Sequence, residues 1–332
     1  MSKKYLNYIC FLQVIGPIFV ILGHSLNGFD NYDGLWRVFS KNWIYIFHMP
    51  LFFFISGYLL SYNGWLGKKS YSQFVKNKFN RLIIPYLFWN ILFLIPKFLG
   101  QNFLTDNVNL SLGFFLNLIV TPRQNIWGHT WFLACLFLFY LATPIWKYII
   151  DDLRANKLIM FIFFAIMLYI LPIKTQIFCL NDIHKEILFF GIGAIIGLIS
   201  ENELKHFFKF NWFAIFILAI VTSMIRLFIL DINEIDFVPA FFIIFCLFGV
   251  PLKFKFNTKD TTLLSKYSFT IYILHWPIML STRILLYQIS HLNMYLVITL
   301  MVIFGYFIPL TICLIKKKLN FNNRFISYLL AI

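Results

Sequence analysis

Residues 5–27 read YLNYICFLQVIGPIFVILGHSLN, and this stretch decides the fold class. It contains no Asp, Glu, Lys or Arg, and it exceeds the roughly 20 residues that an α-helix needs to cross a bilayer core. Lys3 and Lys4 precede it as in a secretory signal, but the run is too long and no A-x-A-like cleavage site follows. A retained first membrane helix is expected. Further apolar runs lie near 43–62, 82–100, 131–149, 157–173, 186–200, 210–230, 237–252, 268–288 and 294–315. They predict an all-α polytopic membrane protein with about ten transmembrane helices, folded as a single integral-membrane domain over residues 1–332. The shorter runs near 157–173, 186–200 and 237–252 read as tilted or thinly matched spans. Residues 111–120 (SLGFFLNLIV) are short and amphipathic, which places them at the interface. The runs are continuous rather than alternating, so the strands of a membrane β-barrel are not expected.

Composition supports the same class. Residues of the AVILMFWYC set make up 61% of the chain and charged residues 12%, whereas a soluble domain is about a quarter charged. The 28 Lys and Arg against 13 Asp and Glu give a net charge of +15, which on a soluble chain would suggest nucleic acid. Here the charge sorts by side instead. With the N-terminus in the cytoplasm, the cytoplasmic segments hold twenty basic and five acidic residues, and eight of each remain elsewhere. That asymmetry obeys the positive-inside rule and predicts an even number of spans with both termini cytoplasmic. The expected location is the plasma membrane, as a multi-pass protein. A soluble enzyme, a disordered chain and a nucleic-acid binder are excluded. Cys10, Cys135, Cys246 and Cys313 lie inside apolar runs and Cys179 in a loop, with no C-x-x-C or Cys/His cluster. No disulfide framework and no metal site are expected.

Ionisable groups at membrane depth cost a few kcal/mol and mark functional sites by default. His24 sits near the outer end of helix 1, His48 opens helix 2 at the same level, and His129 precedes helix 4 on the outer side. His275 falls near mid-membrane, and Arg226 and Arg283 lie within or at the outer ends of helices 7 and 9. Each histidine also has a structural reading, as an imidazole bonded to a carbonyl or a neighbouring helix. Gly16 and Pro17 interrupt helix 1 shortly before His24, which would aim that ring into a cavity. The basic loop 68–81 (KKSYSQFVKNKFNR) either fixes topology or seats an anion. Lys78 and Arg81, one helical turn apart, can grip a phosphate cluster from one face.

The same residues carry a resemblance. The stretches ILGHS (21–25), FHMPLFFFISGYL (47–59), NRLIIPYLFW (80–89), GHTWFLACLFLFYLATP (128–144) and YSFTIYILHWPI (267–278) occur in this order. The chain resembles the acyltransferase-3 family of membrane O-acyltransferases, which acetylate surface polysaccharides. The resemblance implies acetyl-CoA as cytoplasmic co-substrate, and a hydroxyl of a surface polysaccharide or lipid-linked glycan outside as acceptor. It implies His24 as the essential histidine and Lys78 with Arg81 as the basic pair associated with the acyl-CoA. One departure is Gln13, where the family usually has Arg or Lys eleven positions before that histidine; Gln13 offers only a neutral hydrogen bond. Many relatives carry an appended soluble hydrolase-like domain, and none is expected after the last helix here.

Neutral His24 suits two roles: general base toward the acceptor hydroxyl, or transiently acylated nucleophile. Asp30 and Asp33 are candidates to orient it. Tyr58, Trp131 and Trp276 are candidates for stacking on a sugar face, with lipid-interface anchoring as the other reading. Two further functions compete: a transporter or flippase for a lipid-linked glycan, and an assembly subunit of a glycan-export complex. Against transport, corresponding halves show no paired broken helices.

Overall fold

The structure is a computed structural model that describes residues 7–27, 29, 34–67, 69–95, 112–125, 127–230, 232–254 and 258–319. Among the described residues there is no strand. Among the described residues, six helical stretches are long and apolar enough to cross a membrane: Asn7–Asn27, Phe39–Tyr62, Glu201–Phe228, Asn233–Lys253, Ser268–Ile289 and Met294–Lys318. The 131–149 run, read as one span, folds as α6 (Trp131–Leu141) and α7 (Thr143–Ile150), part of a pair bent by 59°. Pro144 explains the break, because it has no N–H to offer the Tyr140 carbonyl. Thr143 Oγ1 donates to that carbonyl instead at 2.6 Å, and Trp146 Nε1 donates to the Phe139 carbonyl at 3.0 Å.

Two of the shorter runs form α8 (Ala155–Ile170) and α9 (Leu180–Ile196), whereas the 237–252 run lies within the Asn233–Lys253 stretch and is long enough to span. The 82–100 run is entered through a π-helical turn at Phe79–Ile83 and continues as α4 (Ile84–Leu92). Its end past residue 95 lies outside the described residues, as do Lys3, Lys4, Asp30, Asp33, Lys68 and Arg324. The proposed interface segment contains α5 (Leu112–Val120), with Phe115, Leu116 and Ile119 exposed.

The chain forms two compact units. One comprises the residues up to Ser56 together with Ile199–Asn322, and the other comprises Gly57–Leu198. In the first unit, α1 (Asn7–Asn27) runs unbroken through Pro17, so the expected interruption at Gly16–Pro17 does not occur. Gly16 serves instead as space. A Cβ there would stand 2.9 Å from the Phe52 ring, and one at Gly23 would stand 3.1 Å from the Tyr45 ring. Positions 16 and 23 share a helix face at heptad spacing. They face positions 52 and 45 of α2 (Leu35–Tyr62) in reverse order, so α1 and α2 pack antiparallel in close register.

Helix α2 begins eight residues before the apolar run, so His48 lies inside it rather than at its start. Arg37, buried on that extension, donates to the Leu26 carbonyl at 3.2 Å, within the last turn of α1. Helices α10 (Glu201–Phe228), α11 (Phe237–Lys253), α12 (Thr258–Ser265), α13 (Ser268–Arg283) and α14 (Met294–Lys318) complete the unit. Ile21, Leu26, Ile271, Met279, Val297 and Met301 join in its core. Lipid tails are as apolar as these side chains, so close van der Waals fit rather than hydrophobic transfer holds such helices together.

In the second unit the same device operates at closer range. A Cβ on Gly57 would collide with the Phe190 carbonyl, and one on Gly197 with the Tyr58 carbonyl. The C-terminal turn and a half of α2 and helix α9 therefore touch backbone to backbone, which only glycine allows. Gly57→Ala is expected to cost about 1–3 kcal/mol, because a backbone carbonyl cannot rotate aside as a side chain can. Thermal unfolding in detergent reads this, and an unchanged midpoint would mean that the two helices do not approach so closely.

Candidate active site

The polar cluster grows out of the α1–α2 register. Gly23 lets the Tyr45 ring close onto α1, and the next residue, His24, is half-buried beside it at 6.4 Å between ring centroids. Helix α13 supplies the other wall. His275 stacks on His24 at 5.5 Å and 28°, and Trp276 meets it edge-on at 5.1 Å. The sequence reading put His24 and His275 at different depths; the structure brings their rings together. Tyr45 continues the cluster to His48 at 4.8 Å, and its hydroxyl accepts a hydrogen bond from Asn27 Nδ2.

Two of these rings are held by their own helices. His275, fully buried, bonds through Nδ1 to the Tyr272 carbonyl at 2.5 Å; His48 bonds through Nδ1 to the Ile44 carbonyl at 2.9 Å. A carbonyl accepts only, so the Nδ1 atoms carry the protons and each neutral ring presents Nε2 as its lone-pair nitrogen. The first unit thus places His24, His48, His275 and Trp276 in one aromatic and imidazole cluster. Among the described residues, no group of three His, Cys, Asp or Glu side chains is arranged to hold a metal ion.

Arg226 has a different setting. Its guanidinium donates to Asp236 Oδ1 at 2.5 Å, to Asn233 Oδ1 at 2.6 Å and to the Leu230 carbonyl at 3.4 Å. These partners all sit on the connection from α10 to α11. Arg283 ends α13, half-buried.

In the second unit, Lys78 closes α3 (Tyr71–Lys78), which Ser70 starts with a capping box involving Gln73. Its ammonium lies 3.5 Å from the centre of the Tyr140 ring and 5.3 Å from that of Phe74. Arg81 follows inside the π turn, where the wider spiral replaces the ordinary turn that the spacing implied. Burial first, with the nearby Arg81 and Lys69 charges adding to it and Tyr140 opposing, holds the Lys78 ammonium below the ordinary lysine value. Cations gathered on an aromatic bed suit an anionic ligand.

The other predicted residues also belong to the second unit. His129 lies in a 3₁₀ turn, 4.9 Å from the Trp127 ring. Tyr58 is fully buried and stacks on Tyr62 at 5.8 Å. Trp131 is buried beneath the Arg123 guanidinium at 4.3 Å. Sequence reasoning missed Arg123 itself, which forms a two-pronged ion pair with buried Asp182. Fifty-nine residues separate that pair, and no short-range pattern links them. All five cysteines are free and buried, with Cys179 Sγ 3.9 Å from the Trp131 carbonyl.

Comparison with known proteins adds to this geometry. The model of the acyltransferase-3 family, described as an acyltransferase domain, matches residues 6–316. The chain is 35% identical over 137 residues to Nodulation protein NolL of Sinorhizobium fredii, a stretch that covers 41% of this chain and 35% of that protein. It is 43% identical over 72 residues to Nodulation protein NolL of Mesorhizobium japonicum, covering 21% and 19% respectively. The chain thus spans about a third of the length of the first of these relatives and about a fifth of the second. No solved structure matches the chain.

Proposed function

The chain belongs to the acyltransferase-3 family, and on that premise we propose that it moves an acetyl group from cytoplasmic acetyl-CoA to a hydroxyl of an extracytoplasmic surface polysaccharide or lipid-linked glycan. The observation that carries this reading is His24, ringed by His275 and Trp276. In the proposed reaction His24 takes the proton of the acceptor hydroxyl as its oxygen attacks the thioester carbonyl. A C–O bond forms, the C–S bond breaks, and the proton passes from His24 to the leaving thiolate. A variant route acylates His24 first and then transfers the group to the hydroxyl; both give the same ester and free CoA. His48 and His275 act as fixed neighbours that hold the cluster in place.

Lys78 and Arg81 provide the seat for the donor's phosphates at the cytoplasmic face. Gln13 lies on the same helix as His24, eleven residues earlier, which is roughly 16 Å along the axis and close to three turns. It therefore shares a face with His24 but contributes no charge, and the donor's anionic part rests on Lys78 and Arg81. The surrounding apolar helices, in this reading about ten spans of one plasma-membrane domain with both termini cytoplasmic, keep the two substrates on opposite sides.

Replacing Lys78 and Arg81 together by Ala is expected to raise the donor KM at least about tenfold, since each charge-assisted hydrogen bond is worth about 1.5–3 kcal/mol. Turnover at saturating donor should hold. Steady-state kinetics on purified protein reads both constants. An unchanged KM would leave the pair as topology determinants only.

A further inference from the structure

The imidazole cluster and the Lys78–Arg81 pair leave one cavity of the second unit without a role. Its volume is about 440 Å³, within the range of roughly 300–1,000 Å³ that small-ligand sites occupy. Tyr71 at the start of α3, Pro144 and Lys147 on α7, Asp151 and Asp152 after it, and Lys157 on α8 line it. All of them belong to Gly57–Leu198.

Two strained turns shape this cavity. Trp65, next to the lining residue Leu66, has φ 59°, and Leu153, next to Asp152, has φ 47°. A residue with a Cβ enters the left-handed region at a cost and stays there only where its surroundings enforce it. Here the buried Trp65 indole donates to Asp151 Oδ1 at 2.6 Å, and the Tyr71 hydroxyl donates to the Leu141 carbonyl at 2.7 Å. Across the other turn, Lys157 Nζ donates to Asp152 Oδ2 at 2.9 Å and to the Tyr148 carbonyl at 3.1 Å.

These bonds decide which charges are matched. Asp152 is paired with Lys157 and Arg154. Lys147 and Asp151 lie four residues apart, a spacing at which a helix brings opposite charges together. Asp151 is instead turned to Trp65, and neither Lys147 nor Asp151 makes an ion pair among the described residues. The cavity therefore presents one unmatched cation and one unmatched anion. A ligand with several negative charges, the acyl donor included, meets two carboxylates here. A ligand with one phosphate and one ammonium finds a partner for each.

Position narrows the class of ligand. Lys147 lies in the last turn of α7 and Lys157 in the first turn of α8, while Ile145, Tyr148, Ile159, Met160 and Phe163 on these two helices are exposed. Charges at helix ends beside exposed apolar and aromatic side chains suit the boundary between headgroups and hydrocarbon. In the topology expected from the charge pattern, this end faces the cytoplasm.

We propose that the cavity seats the headgroup of an aminophospholipid of the phosphatidylethanolamine type, its phosphate at Lys147 and its primary ammonium at Asp151. The acyl chains run along the exposed side chains of α7 and α8. This site does not depend on the chemistry assigned to His24.

The test titrates purified, delipidated full-length protein in detergent with phosphatidylethanolamine, phosphatidylcholine or phosphatidylglycerol of identical chains. Native mass spectrometry counts the lipid retained. Phosphatidylethanolamine is expected to bind about tenfold more tightly than phosphatidylcholine, whose methylated ammonium donates no hydrogen bond, and than phosphatidylglycerol, which has no cation. Asp151→Asn keeps an acceptor for Trp65 but removes the charge, and should erase the preference over phosphatidylglycerol. Lys147→Gln should weaken phosphatidylethanolamine about tenfold. Acetyl-CoA affinity should stay within about twofold in both variants. Equal binding of the three lipids by wild type, a preference for phosphatidylglycerol, or a wild-type preference retained in both variants overturns the proposal. Variants that lose acetyl-CoA rather than lipid overturn it too, and make the cavity part of the donor seat. Should Lys147→Gln fail to fold, Asp151→Asn decides alone.

Discussion

His24→Ala is expected to lower turnover by about 10²- to 10⁴-fold, the range that a positioned general base contributes. The donor KM should stay within about twofold, because the donor's charges are assigned to Lys78 and Arg81. His24→Asn should fall as far, since an amide neither takes up the proton nor carries an acyl group. His48→Asn and His275→Asn should lose less, about tenfold. Each ring is fixed by a carbonyl of its own helix, so its loss loosens the packing around His24 without removing the base. The order matters more than the sizes. If His275→Asn is as inactive as His24→Ala while His24→Asn retains turnover, the base is His275. The two nucleophile-or-base routes separate in the same series: only the acylated route leaves label on wild-type protein after rapid denaturation.

Asp236→Ala is expected to produce the second large effect, on stability. Arg226 is 8% exposed and carries its charge against Asp236, Asn233 and the Leu230 carbonyl. Removing one partner of a buried pair costs about 3–5 kcal/mol, chiefly from the charge left behind; Asp236, with its side chain 20% exposed, brings the expectation down to about 2–3 kcal/mol. The double replacement Arg226→Met with Asp236→Leu should recover most of that loss, because apolar groups of similar volume need no partner. Activity per folded molecule should be kept in both. Thermal unfolding alongside a turnover assay distinguishes this from a role in the chemistry, in which the double variant would be stable and inactive. On this account the α10–α11 connection, rather than the imidazole cluster, is what Arg226 serves.

Apolar run length made the class of fold legible, because a bilayer imposes a length that few other environments demand. Each of the ten runs contains helix among the described residues, but only six helical stretches there are long and apolar enough to span a membrane. What run length could not convey was straightness: the residues from 131 to 149 look continuous, yet a single missing N–H at Pro144 bends them by 59°. Gly16 and Pro17 mislead in the opposite direction. A proline in a helix suggests a break, but α1 continues and the glycine beside it makes room for Phe52. Glycine at a helix crossing and glycine at a kink look alike until the partner helix is in place.

Of the site, the imidazoles were legible because ionisable groups are rare in such runs. Their meeting was not, since the stacking of His24 on His275 joins positions some 250 residues apart along the chain. Tyr140 beneath Lys78, and Asp182 against Arg123, were hidden for the same reason. Motif order pointed to residues, while packing alone showed which of them share a cluster.

The central claim is that this chain forms an ester from a thioester and a hydroxyl. The most direct measurement incubates purified full-length protein with acetyl-CoA labelled in the acetyl group and with base-stripped surface polysaccharide. The account predicts that label enters the polysaccharide as a base-labile ester, matched mole for mole by free CoA, and that His24→Ala abolishes both. Label that stays on CoA with no thiol released, or transfer that proceeds equally well without His24, would contradict it.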